Sequence, residues 1–219
     1  MENKTPKVLI AIPCMRTVDV EFFDAVLHLK NNGNTFVALE ASSLVYTARN
    51  HLCLRAFEKE CDYIMWLDSD MVFPPETVLE LIRIAEEEQA DLVTGLYFKR
   101  VLPTEPVLAK QVVFEQDMKT GIKAGAEVYI DYPRDQLFPI EGCGLGCAIV
   151  RVSAIEEIGA KTGMSPFQPL PGLSEDYSFC FRMKQLGKKM LCDSRIKVGH
   201  VGNMIFDEAT WVEQESKNG

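Results

Sequence analysis

Four short runs of near-continuous apolar residues punctuate the first half of the chain: 8–12 (VLIAI), 36–39 (FVAL), 63–67 (YIMWL) and 92–97 (LVTGLY). Runs this short, without polar alternation, predict strands buried on both faces, which is the mark of a parallel sheet. Between them, 21–31, 46–60 and 75–89 place apolar residues three and four apart, predicting helices; Pro75 and Glu76 suit a first helical turn. Strand and helix in strict alternation give right-handed βαβ units. After Tyr97 the rhythm changes. Residues 107–115 and 126–131 predict antiparallel strands around a DMKTG turn, followed by the glycine-rich EGCGLGC and a strand over 148–152. A loop, GMSPFQPLPGL (163–173), precedes a helix over 175–186, then a strand pair within 190–201 and a polar tail. The expected class is α/β, mostly parallel in the first half and mixed in the second, in one domain spanning 1–219 with no repeats or linkers.

Composition narrows the function classes. With 47% hydrophobic and 25% charged residues the chain matches an ordinary globular protein, and no apolar run approaches the roughly 20 residues of a membrane helix. The polar start MENKTPK has no apolar signal-peptide centre, so a cytoplasmic location is expected. Seven scattered cysteines in apolar settings predict reduced, buried thiols and no zinc site. A formal charge of −9 argues against a nucleic-acid partner, and any anionic substrate must meet a cation locally.

The candidate chemistry starts at LDSD. In an open parallel sheet ligands bind beyond the carboxyl ends of strands. If the strand continues extended through Asp68, Ser69 and Asp70, the two carboxylates point the same way and need a divalent cation or a shared proton. The alternative is an Asp-rich turn ahead of the next helix. Glu175 and Asp176 follow Ser174 at a helix start, where acids complement the helix dipole. His200, in VGHVG, is a potential imidazole ligand or a structural histidine. Arg16, Arg49 and Arg182 are candidate phosphate or base contacts, with solvation as the alternative for each and an ion pair on its own helix for Arg182. Gly142, Gly144 and Gly146 do not make a dinucleotide fingerprint and read as permitting close approach of a sugar. Tyr97, Phe138 and Phe167 are stacking faces or core residues.

Taken in order, AIPCMR, TARNHLCLRAF, LDSDMVFPPETV and LSEDYSFCFRMKQLGKKMLCDSRIKVGHVG resemble glycosyltransferase family 2 of the GT-A fold. The resemblance implies transfer of a single sugar from a nucleotide-diphosphate donor to an acceptor hydroxyl (on a sugar, a lipid-linked sugar or a protein), with inversion. It implies Mn²⁺ or Mg²⁺ bound by Asp70 and His200, with Asp68 on the donor or reaching the metal through water. It implies Asp176 as general base with Glu175 beside it, and Pro13, Arg16, Glu40, Arg49, Asp68 and Arg182 around the nucleotide. Glu40 is the lone acid where many members carry an acid-rich turn for the base, and the QxxRW motif of processive synthases is missing. A nucleotidyltransferase is disfavoured by the glycine-free PCMRTVDVEF after the first strand; a non-catalytic nucleotide-sugar or carbohydrate-binding module is the other reading. The 163–173 loop, beside the proposed base, is expected to act as a lid.

Overall fold

The computed structural model describes residues 5–117, 119 and 121–218. The chain runs β1 (Val8–Cys14), α1 (Val20–Leu27), β2 (Thr35–Ala41), α2 (Val45–Glu58), β3 (Tyr63–Leu67), β4 (Met71–Val72), α3 (Thr77–Glu87) and β5 (Leu92–Leu96). It continues through β6 (Leu108–Asp117), β7 (Gly121–Val128), β8 (Leu137–Pro139), β9 (Gly142–Cys143), β10 (Cys147–Arg151), α4 (Val152–Thr162) and α5 (Glu175–Gln185). It finishes with β11 (Met190–Lys197), β12 (Gly199–Val201), β13 (Ile205–Phe206) and α6 (Glu208–Asn218).

The main sheet has seven strands in the order β2-β1-β3-β10-β5-β11-β8. β1 pairs in parallel with both β2 and β3, and β11 pairs in parallel with β5. β10 inserts antiparallel between β3 and β5, and β8 closes the edge antiparallel to β11. The continuous apolar runs of β1, β3 and β5 are explained by two-sided burial, whereas β2, at the sheet edge, exposes Val37 and Leu39, which corrects the expectation for 36–39. On β1, Leu9 and Ala11 join the core layer under α2, α4 and α5, while Val8, Ile10 and Ile12 join the layer under α1 and α3; on β3, Ile64 and Trp66 alternate with Tyr63, Met65 and Leu67 in the same way.

Several expectations change in the second half. Residues 190–201 do not form a strand pair: β11 stays in the main sheet, while β12 pairs with β4 and β13 in a separate three-stranded sheet. The hairpin is longer than expected, with β7 beginning at Gly121; Met118 and Thr120 of the DMKTG turn lie outside the described residues. α4, unassigned from sequence, ends where Gly163 takes a left-handed φ of 65°. The polar tail is helix α6, whose Trp211 is buried and stacked on Phe98 at 6.1 Å; one aromatic anchor on an otherwise polar segment leaves little periodicity to detect. All seven cysteines are free thiols, and none of the described helices is long and apolar enough to cross a membrane.

The 163–173 loop is pinned, which corrects the lid expectation. Phe167 is fully buried, stacked on Phe179 at 4.5 Å and edge-on to Trp66 at 5.2 Å. Its N–H donates to Asn50 Oδ1 (3.1 Å), and the Arg182 guanidinium donates to the Pro166 and Gln168 carbonyls (3.1 and 2.6 Å). Phe167 and Phe138 are therefore core residues, as is Tyr97.

Candidate active site

The acidic pair does not continue the strand. β3 ends at Leu67, the Asp68 N–H donates to Gly146 O (2.9 Å), and the chain then reverses, with the Met71 N–H donating to Asp68 O (3.2 Å). The extended-strand geometry expected for the two carboxylates is thereby replaced by a turn, and the two meet different partners. Asp68 faces Arg49, whose Nη2 lies 3.0 and 3.2 Å from its two carboxylate oxygens. Asp70 has Arg100 Nη1 at 2.6 Å and His200 Nε2 at 3.4 Å from its Oδ2.

His200 arrives from a distant part of the chain through the small sheet. β12 pairs with β4 so that His200 stands opposite Met71, and the Val201 N–H donates to Asp70 O (2.8 Å). The His200 Nδ1 lies 2.9 Å from the Phe98 carbonyl, a contact that requires a proton on Nδ1. Its Nε2 is thus turned toward Asp70. Burial pushes the Asp70 carboxyl up, but the hydrogen bond and charge of His200 and the charge of Arg100 outweigh it, and its pKa is lowered.

Arg49 lies on α2 and is 1% exposed, with its guanidinium over the Trp66 ring at 5.3 Å. Besides Asp68, its Nε is 3.3 Å from Asp176 Oδ1 and 4.0 Å from Glu175 Oε1. The Asp176 contact is off-axis, so neither Arg49 Nε nor Asp176 Oδ1 completes a hydrogen bond. Burial opposes the guanidinium charge, yet the carboxylates of Asp68, Asp176 and Glu175 raise its pKa above the ordinary arginine value. Arg49 therefore anchors three acids from below the cleft, and is too buried for the phosphate contact expected from sequence.

Ser174 caps α5, its side chain accepting from the Tyr177 N–H (3.3 Å). That leaves Asp176 free of capping duty: its Oδ2 accepts from the Leu145 N–H (3.2 Å), in the glycine-rich stretch. Its side chain is 18% exposed, and its pKa is pushed up to about 7, chiefly by burial, with Glu175 and Asp68 adding to the rise and Arg49 and the Leu145 N–H opposing it.

The glycines of EGCGLGC make room for protein, correcting the sugar-approach reading. A Cβ at Gly144 would stand 2.1 Å from the Tyr97 hydroxyl, and one at Gly146 3.1 Å from Met71 Sδ. The Tyr97 hydroxyl in turn accepts from the Gly146 N–H (3.0 Å). Gly144→Ala is expected to cost about 1–3 kcal/mol of stability through this overlap. Thermal unfolding should show part of the loss recovered in the Gly144→Ala, Tyr97→Phe double variant; no recovery would place the strain elsewhere.

A cleft of about 260 Å³ opens at the carboxyl ends of β1 and β3, lined in part by Pro13, Cys14, Ser42, Asp68, Asp70 and Arg100. Of the other residues expected around a nucleotide, Arg16 lines an adjoining recess with Ser42 and Ser43. Glu40 is engaged by His51 Nδ1 at 3.0 Å and by Arg55 Nη2. Arg182 is 5% exposed and spent on the 163–173 loop, which takes it away from a donor. Arg100 was not singled out from sequence: it sits in KRVLPTEPV, where nothing but its charge marks it.

Comparison with known proteins fits this architecture. No curated protein matches the chain. Among solved structures, A197 from STIV superposes with a TM-score of 0.63 at 19% identity, covering 90% of this chain and 86% of its own. GalNAc-T7, crystallised with UDP, GalNAc and Mn²⁺, superposes with a TM-score of 0.60 at 12% identity, covering 93% of this chain but only 45% of its own length. These likenesses speak for the GT-A fold. Residues 19–159 match the family described as Glycosyl transferase family 2, a span that takes in β2, α2, the LDSD turn and the glycine-rich stretch; the chain belongs to that family of sugar-transferring enzymes.

Proposed function

We propose that this glycosyltransferase moves a single sugar from a nucleotide-diphosphate sugar to an acceptor hydroxyl, with inversion, using Asp176 as the general base. The observation that carries the reading is the Asp176 carboxyl, half-buried, linked through Arg49 to Asp68 at the cleft, free of capping duty and with its pKa pushed up to about 7. A base poised near neutral pH combines availability with driving force for proton transfer. Asp176 takes the proton of the acceptor O–H as the oxygen attacks the anomeric carbon; the bond from that carbon to the diphosphate oxygen breaks, and its electron pair leaves with the diphosphate. A single displacement of this kind inverts the anomeric centre.

A divalent ion fits the residues present with part of its shell left open. Among the described residues there is no group of three or more His, Cys, Asp or Glu that could hold a metal ion. Asp70 Oδ2 and His200 Nε2, 3.4 Å apart and facing each other, supply two donors of the kind Mn²⁺ or Mg²⁺ accepts, and phosphate oxygens and water would supply the others. When bound, the ion neutralises charge building on the diphosphate leaving group. Asp68, held by Arg49, would accept from the donor's hydroxyls.

This sharing predicts that metal and nucleotide bind together. Calorimetric titration of nucleoside diphosphates should show affinity that rises with Mn²⁺ in the wild type and ceases to respond in Asp70→Ala. An unchanged metal response in the variant would remove Asp70 from the site.

A further inference from the structure

One oxygen, Asp70 Oδ2, is approached from two sides: Arg100 Nη1 at 2.6 Å and His200 Nε2 at 3.4 Å. His200 Nδ1 lies against the Phe98 carbonyl and its Nε2 faces the same carboxylate oxygen. The Arg100 guanidinium thus holds the oxygen that a divalent ion between Asp70 and His200 would need. We propose that Arg100 is an exchangeable counter-ion. It occupies Asp70 while the site is empty, and passes to the donor's diphosphate when a divalent ion takes Asp70 and His200. The inference rests on the donor site proposed above and adds to it the residue that receives the phosphates.

Electrostatics drives the exchange. A guanidinium in contact with Asp70 Oδ2 opposes a divalent ion arriving on the same oxygen, because the two cations repel across a few ångströms. The Arg100 side chain can leave: it is 53% exposed, against 17% for Asp70. Its backbone stays in place, since the Lys99 N–H donates to Glu105 O (2.9 Å) and Phe98 bridges Pro106 at the stem of the 97–107 hairpin. A long, flexible side chain on a fixed stem moves its head group without rearranging the fold.

The diphosphate, for its part, needs Arg100. The cleft presents Asp68 and Asp70 to an anionic ligand on a chain of formal charge −9. Arg49 is buried beneath three acids, and Arg182 is bound to loop carbonyls. Among the described residues lining the cleft, Arg100 is the one basic side chain. Its planar fork of donors suits paired phosphate oxygens, and releasing Asp70 to the metal leaves that fork unoccupied at the moment the phosphates arrive.

The test compares wild type with Arg100→Gln on two probes, Mn²⁺ alone followed by electron paramagnetic resonance, and inorganic pyrophosphate in saturating Mn²⁺ followed by calorimetry. Removing the competing cation should tighten Mn²⁺ binding about 3-fold, as expected for a partly exposed ion pair. Removing the phosphate partner should weaken pyrophosphate binding about 10-fold. Opposite responses are the signature, since a variant that merely disturbed the site would weaken both. Unchanged or weaker Mn²⁺ binding overturns the counter-ion role, and unchanged pyrophosphate binding overturns the transfer to phosphate. A wild type that takes up neither probe overturns the donor site and this inference with it, whereas a wild type that binds both beside an indifferent Arg100→Gln overturns Arg100 alone.

Discussion

Asp176→Asn is expected to lower single-turnover sugar transfer by roughly 10²-fold or more while leaving donor and Mn²⁺ binding near the wild-type level. Asparagine is nearly isosteric and can still accept from the Leu145 N–H, so the local geometry survives; what it cannot do is take the acceptor's proton. Helix α5 keeps its own cap in Ser174, so a fall in rate cannot be ascribed to loss of helix capping. The pH profile supplies a second readout. A base works only when unprotonated, so wild-type transfer should rise as pH climbs through about 7 and level off above, and the variant's residual rate should lack that rise. Slow donor hydrolysis serves as the assay until an acceptor is identified. Near-wild-type transfer by a folded Asp176→Asn protein would place the base elsewhere, and Glu175 would be the next residue to test, because Glu141 is already held by Lys184 Nζ at 2.6 Å and the Val112 N–H at 3.0 Å.

Arg49→Met should produce the largest loss of stability, about 3–5 kcal/mol, because it removes the one buried cation among three carboxylates. At this chain length that corresponds to a fall in melting temperature of roughly 6–20 °C. The loss should depend on pH with a definite sign. Asp176 holds its proton to a higher pH in the folded than in the unfolded chain, so folding stability falls as pH rises from the ordinary carboxylate range through about 7. Arg49 opposes that rise in pKa; without it the folded-state pKa goes higher and the decline extends further. Melting curves at pH 5 and pH 8 should therefore differ more for Arg49→Met than for the wild type. An equal deficit at both pH values would mean that Arg49 contributes packing on Trp66 rather than charge compensation.

The layout of the first half was legible because the apolar runs of β1, β3 and β5 each fill two core layers at once, and only a strand buried on both faces needs that. Val8 to Ile12 and Tyr63 to Leu67 declare the strands without reference to anything distant. Legibility faded where a segment owes its structure to contacts made elsewhere. Trp211 stacked on Phe98, Gln214 on Thr104 and Glu208 on Tyr132 secure α6, and β12 pairs with β4 and β13. Scattered contacts across the chain leave no period to read.

By itself the sequence determined the α/β order, the placing of LDSD at a strand end and the assembly of acids, histidine and arginines that resembles family 2. These are local matters of periodicity, residue type and spacing. Tertiary structure alone decided which charge meets which. The turn after Leu67 sends Asp68 to Arg49 and Asp70 to His200; the β12–β4 pairing carries His200 across the chain; and the burial of Arg49 beneath Asp68, Glu175 and Asp176 leaves Arg100 as the cation at the cleft. Charges interact through space and their strength depends on burial, so their partners are settled only when the sheet brings distant segments within a few ångströms and excludes water from some of them but not others.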